Sequence, residues 1–193
     1  LLTPARIRAW KGKVSCIGIS IDSVSRDTNL AIGRCCGNSV VSLSNWTALA
    51  RTIHECGIGL KINTVVSARN LCEDNAELYR ALKPQKIKLF QMHLIADIND
   101  AAKPYAITEE AFDAYLERLQ QHREFASTIV AEPCGSMENS YLMVNPEGRF
   151  QLNDNGKYRT FGDLKATSLS EILKAAPVDT EKFDSRYIGE GAR

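Results

Sequence analysis

The sequence predicts an α/β fold, a parallel sheet crossed by helices, followed by a smaller β-rich extension. Three observations lead there. Strand-like and helix-like runs alternate three times before residue 130. The helix-to-strand returns are short, "GIG" and "KPQ", whereas the segments that follow strands are long, residues 23–43 and 95–107. Near residue 130 the alternation gives way to two apolar runs around a turn. Strands joined through helices run parallel with right-handed crossovers, and a turn between two apolar runs marks a hairpin.

The first strand is "VSCIGISID", residues 14 to 22, where isoleucine recurs at every second position. The helix after it takes Ser44 as its cap, carries Trp46, Leu49, Ile53 and Cys56 on one face and stops at Gly57. "LKINTVV", residues 60 to 66, is the second strand. The next helix opens on Glu73 and Asp74, whose charges suit a helix N-terminus, presents Leu78 and Leu82, and halts before Pro84. "KIKLFQMHL", residues 86 to 94, is the third strand. A helix capped by Thr108 shows Phe112, Tyr115, Leu116 and Leu119, and a short strand in "STIVAEP" follows. "SYLMV" and "RFQLN" then flank "NPEG", with proline second and glycine fourth, as a β-turn of a hairpin prefers. Ser168 and Glu171 form a capping box for a short helix ended by Pro177, and "VDTEKFDSRYIGEGAR" reads as a mobile polar tail. Residues 1–131 are the sheet-and-helix part and 132–193 the extension.

At 193 residues with 44% hydrophobic content, the chain can bury about one good core. Its 24 basic and 23 acidic residues leave a net charge of +1, which excludes a general attraction to nucleic acid or membrane surfaces and makes any anion binding local. No apolar run approaches the roughly 20 residues of a membrane span and the N-terminus lacks a signal-peptide pattern, so the expected compartment is the cytoplasm. Cys16, Cys35, Cys36, Cys56, Cys72 and Cys134 are scattered with neither a CxxC pair nor zinc-site spacing, as reduced thiols are. The opening "LLTPARIRAW" has no initiating methionine, which raises the expectation of a piece of something longer.

Side chains alternate across a strand, so each strand sorts into two faces. Ile17, Ile19 and Ile21 oppose Gly18, Ser20 and Asp22; Leu60, Ile62, Thr64 and Val66 oppose Lys61, Asn63 and Val65; Ile87 and Leu89 oppose Lys86, Lys88 and Phe90. One parity is apolar and suits packing under helices. The other is polar and carries three lysines. Buried ammonium groups are costly unless paired, and Asp22 can neutralise only one of them, so the pattern asks for an anionic ligand. A lysine that opens its strand, as Lys86 does, can instead snorkel to solvent, and Asn63 can serve a neighbouring backbone group. Ligands of parallel α/β folds bind at the C-terminal ends of the strands. The first long segment there contains "AIGRCCGN", where Gly33 allows a tight turn and Arg34 can clamp a carboxylate or phosphate, the plain alternative being a solvated arginine.

In order and spacing, "SIDSVSRDTNLAIGR", "LKINTVV", "LKPQKIKLFQ" and "MENSYLMV" resemble viperin and its prokaryotic relatives, the radical S-adenosylmethionine nucleotide dehydratases, from about residue 15 to residue 183. The resemblance implies a partial, TIM-like (β/α)6 barrel, with this chain as its C-terminal half and the hairpin and helix covering the active site. It implies a 4Fe-4S cluster on a CxxxCxxC motif, reductive cleavage of S-adenosylmethionine, and removal of the 4′ hydrogen of a ribonucleoside triphosphate of the CTP, UTP or GTP type. Loss of the 3′ hydroxyl as water then gives a 3′-deoxy-3′,4′-didehydro nucleotide. An electron donor such as flavodoxin or ferredoxin and a role in antiviral defence are implied with it.

Carried over by position, Ser20 and Arg34 bind S-adenosylmethionine, Arg34 through its carboxylate. Lys61, Asn63, Lys86 and Lys88 line the nucleotide site, the lysines facing the triphosphate. Tyr141 matches a tyrosine to which catalysis is attributed, the alternative being a packing residue of the hairpin, and Arg186 falls near an arginine that closes over the phosphates. The chain departs from the family in lacking CxxxCxxC and the early Gly-Gly-Glu segment, so the resemblance puts the cluster ligands upstream of Leu1 and none in this chain. The chain alone is then expected to be inactive. Its tail also stops sooner and lacks a closing tryptophan. Two other functions suit the same residues: a radical enzyme acting on another polyanion, and a cluster-free nucleotide-binding module.

Overall fold

Alternating apolar residues produce a sheet of four parallel strands in the computed structural model, which describes residues 2–187. Strands β1 (Cys16–Ser20), β2 (Gly59–Val66), β3 (Lys86–Gln91) and β4 (Ile129–Glu132) pair in sequence order. Helices α1 (Pro4–Ala9), α2 (Arg26–Ala31), α3 (Leu43–Glu55), α4 (Ala76–Leu82) and α5 (Glu109–Gln120) belong to the same part of the chain. The apolar parity behaves as expected: Leu60, Ile62, Ile87 and Leu89 are fully buried with Ile7, Ile53, Leu78, Leu82 and Phe112.

Chain contacts divide the molecule into two units, Leu1–Met92 with Ile107–Glu132, and His93–Ala106 with Pro133–Arg193. The first contains the parallel sheet. In the second, α6 (Cys134–Met137) precedes a three-stranded antiparallel sheet of β5 (Met143–Val144), β6 (Arg149–Asp154) and β7 (Lys157–Asp163), followed by α7 (Leu169–Ala175) and α8 (Thr180–Tyr187). Phe150, Leu152, Ile172 and Ala176 form its core. A Cβ on Gly162 would lie 2.6 Å from Ile172 Cγ1, so a glycine is what lets α7 approach β7. The segment 93–106 joins this unit through Ala96 N–H, which donates to Gly156 C=O at 2.8 Å, and through a 2.8 Å contact of His93 Nε2 with Asn153 Nδ2.

Several elements depart from expectation, each for a local reason. Helix α3 is capped by Ser42, whose Oγ accepts from Asn45 N–H, while the Ser44 hydroxyl pairs with that of Ser42. Helix α4 begins after Asn75, not at Glu73, because the Glu73 carboxylate is engaged by the hydroxyls of Ser23 and Thr28. The stretch 23–43 is not all loop. It holds α2, invisible to periodicity because Asn29 is its buried residue and no apolar stripe exists. A 3₁₀ helix at Asp100–Tyr105 interrupts the expected loop 95–107. The "NPEG" hairpin forms, but its first strand is two residues long. A second hairpin joins β6 to β7 through Asn155 and Gly156, whose φ values of 52° and 71° are those of a turn that Asn-Gly favours. Residues 180–187 are helical where a mobile tail is expected, since Asp179 accepts from both Lys182 N–H and Phe183 N–H. The capping box of Ser168 and Glu171 forms. No helix among the described residues is long and apolar enough to cross a membrane.

Candidate functional site

Parallel pairing puts aligned residues on the same face, so the register composes the site. Ser20 aligns with Asn63 and Asn63 with Lys88; one row earlier Gly18 aligns with Lys61 and Lys61 with Lys86. Four predicted nucleotide residues and Ser20 therefore share one face of β1, β2 and β3. Gly18 leaves room for them: a Cβ there would lie 3.3 Å from Lys61 Cε and 3.9 Å from Asn63 Nδ2. Lys61, Asn63 and Lys86 are half-buried, and Lys88 is buried. Asn63 Oδ1 is buried and accepts no hydrogen bond from the described residues.

The expectation that the buried lysines need an outside anion does not hold for Lys88. Its ammonium lies 2.7 Å from Glu132 Oε1, and both side chains are under 10% exposed. Glu132 sits on β4, where Phe90 aligns with it and Val130 with Lys88. Sorting "STIVAEP" by parity as the other strands were sorted would have put Glu132 on the face of Lys88: Ile129 and Ala131 belong to the apolar face, Val130 and Glu132 to the polar one.

Asp22, expected to offset a lysine, pairs instead with Arg34. Arg34 Nε donates to Asp22 Oδ2 at 2.5 Å, and Val65 N–H donates to Asp22 Oδ1 at 2.8 Å. Where Arg34 sits is decided by the end of α2. Gly33 takes φ of 77°, and Arg34 N–H reaches back to Asn29 C=O at 2.8 Å, the left-handed ending that helices commonly use. Asn29 in turn donates from Nδ2 to the carbonyls of Ser23 and Ser25, each at 2.8 Å. The result is a pocket of about 120 Å³ lined by Ser20, Ile21, Ser23, Asn29, Arg34, Val40, Val41 and Trp46. Both predicted S-adenosylmethionine residues thus line one cavity. Pockets that enclose a drug-sized ligand run to roughly 300–1,000 Å³, so this one suits one polar end of such a molecule.

Tyr141 belongs to the second unit, half-buried and just before β5 instead of on it. Arg186 falls on the backbone of α8, and its side chain lies outside the described residues. His93 follows β3 and bonds Asn153, while His122 sits beyond α5 against Arg80 and Asp74. All six cysteines are free, and among the described residues no three or more metal-ligating side chains converge. These residues do not fit an iron–sulfur cluster, which needs thiolates gathered on one centre.

Sequence comparison bears directly on this geometry. Proteins named S-adenosylmethionine-dependent nucleotide dehydratase align with most of the chain. That of Lacinutrix mariniflava is 33% identical over 187 residues, 96% of this chain and 38% of the relative. That of Flammeovirga pacifica is 32% identical, covering 88% of this chain and 58% of the relative. This chain is a homologue of those nucleotide dehydratases. The dehydratase of Psychrobacter lutiphocae, 34% identical, is covered to 56% of its length, so the chain spans about half the length of the curated relatives it matches. The resemblance read from four short motifs is borne out. No protein-family profile matches the chain. Among solved structures, native anSMEcpe with bound AdoMet superposes with a TM-score of 0.57 at 10% identity, covering 96% of this chain and 56% of that one. The same protein with AdoMet and the Kp18Cys peptide gives 0.56. At such identity the likeness is one of fold.

Proposed function

We propose that this chain supplies S-adenosylmethionine and nucleotide contacts to a radical dehydratase that acts on a ribonucleoside triphosphate of the CTP, UTP or GTP type. Its parallel sheet would then be the C-terminal half of a partial (β/α)6 barrel. The observation that carries the reading is the register, which aligns Ser20, Asn63 and Lys88 in one row and Lys61 with Lys86 in the next, on the face where Ser20 also meets the Arg34 pocket. S-adenosylmethionine, when bound, supplies the radical chemistry. Ser20 and Arg34 hold it, the guanidinium taking the carboxylate with parallel N–H groups. Lys61 and Lys86 meet the phosphates as compact charges. Asn63, with its buried Oδ1 open to a donor, accepts a hydroxyl or amino proton of the nucleotide. Lys88, balanced by Glu132, contributes a donor at a fixed place more than net charge. By resemblance, Tyr141 is assigned the proton that lets the 3′ hydroxyl leave as water, while the one electron that the dehydrated nucleotide then needs comes from an external donor such as flavodoxin or ferredoxin. On the same resemblance Arg186 closes over the phosphates.

The full-length enzyme tests this through Lys61→Ala. Removing a charge-assisted contact should weaken nucleoside triphosphate binding by about 1.5–3 kcal/mol and monophosphate binding much less. Calorimetry showing equal losses for both ligands, or none, would mean that Lys61 does not face the terminal phosphates.

A further inference from the structure

Resting on the reading of the Arg34 pocket as the S-adenosylmethionine site, we propose that Asp22 is a positioning residue that aims the Arg34 guanidinium at the carboxylate of the ligand. Asp22 cannot swing. Its two carboxylate oxygens are taken by Arg34 Nε and Val65 N–H, and its carbonyl accepts from the Nδ2 groups of Asn70 at 2.8 Å and Asn75 at 3.3 Å, both fully buried. The backbone of Arg34 is fixed independently by its bond to Asn29 C=O. A guanidinium is a rigid plane with five N–H donors. Once Nε–H is committed to Asp22, the plane is set, and the four N–H groups on the terminal nitrogens are what remain for the pocket. The Asp22 side chain is 5% exposed and that of Arg34 44%, so one end of the pair is anchored and the other is open. Two parallel N–H groups on a fixed plane match a carboxylate, which accepts two such bonds side by side.

An aspartate also does here what asparagine cannot. Its oxygens serve two donors at once, Val65 N–H and Arg34 Nε–H; an amide in the same place has one acceptor and must turn its NH₂ toward one of them. The test uses the full-length enzyme and measures equilibrium binding of S-adenosylmethionine and of its decarboxylated amine analogue. Asp22→Asn should lower affinity for S-adenosylmethionine roughly tenfold, the scale of one weakened charge-assisted bond, and leave the analogue within about twofold. In an Arg34→Ala background the same substitution should cost nothing further, because Asp22 acts through Arg34. Equal weakening of both ligands, or full additivity with Arg34→Ala, would make Asp22 a purely structural residue and overturn the proposal. Should Asp22→Asn not fold, Arg34→Lys, which keeps the charge and loses the fork, is expected to lose affinity for S-adenosylmethionine selectively, and unchanged binding overturns the proposal. If Arg34→Ala itself leaves S-adenosylmethionine affinity intact, the reading of the pocket fails. If Arg34→Ala weakens it and Asp22→Asn does not, only the role of Asp22 fails.

Discussion

The two faces of the parallel sheet are made by the same strands and are stabilised in different ways. On one, Leu60, Ile62, Ile87 and Leu89 are fully buried and need only contact, which is non-directional and tolerant of shape-conserving exchange. On the other, each group depends on a particular partner: Lys88 on Glu132, Arg34 on Asp22, and Gly18 on the absence of a side chain that would crowd Lys61. Depth of burial and readiness for a ligand run in opposite directions there. Lys88, at 6% exposure, has an internal carboxylate, whereas half-buried Lys61 crosses over a glycine toward the open side of β1.

The largest expected effect breaks the polar face. Glu132→Ala removes the carboxylate paired with the buried Lys88 ammonium and should destabilise the protein by about 3–5 kcal/mol, whereas adding Lys88→Met should restore most of that loss. Urea unfolding of both variants is the measurement, and a loss below about 1 kcal/mol for the single variant would mean that other groups balance Lys88. The apolar face comes next. Leu60→Ala should cost about 2–5 kcal/mol through a cavity, with the nucleotide affinity of the folded fraction unchanged. A joint fall in affinity would show that the two faces are coupled.

Much of this contrast was legible in the sequence, and what escaped is informative. A period of two sorts Ile17, Ile19, Leu60, Ile62, Ile87 and Leu89 correctly, because burial of a whole face leaves little freedom in register. The partner of Lys88 lies 44 residues away on a four-residue strand, and parity narrows the candidates without choosing among them. Asp22 could as well have met a lysine; Arg34 wins because α2 ends beside it, and α2 itself has no apolar stripe to announce it. By contrast the Asn-Gly pair at 155–156 is a hairpin signal standing in the chain, and the reading of a single hairpin at "NPEG" passes it over. For Tyr141, a two-residue β5 cannot be distinguished from the extended residues before it by pattern alone.

The smallest effect concerns polar groups on the apolar side, where Thr64 Oγ1 and the Tyr79 hydroxyl lie 2.9 Å apart and Asn75 Nδ2 donates to the Tyr115 hydroxyl at 3.3 Å. These are neutral pairs, so they should respond to pH only in alkali, unlike the charged pairs of the opposite face. Burial pushes the Tyr115 phenol up to about 12, and burial raises that of Tyr79 further. An unfolded tyrosine loses its proton near pH 10 while the folded one keeps it, so between about 10 and 12 the unfolded state binds fewer protons and stability falls as pH rises. Below about 10 both states are protonated and the contribution is constant. The expected slope is about 1.4 kcal/mol per pH unit for each such tyrosine. Tyr115→Phe should remove one share of it, costing a weak hydrogen bond at neutral pH and returning part of the stability near pH 11. Urea midpoints from pH 8 to 11.5, read with tyrosinate absorbance, measure this directly. Identical slopes in the wild type and Tyr115→Phe would mean that the Tyr115 hydroxyl ionises as it does in water, and that this side of the sheet is wetter than its burial indicates.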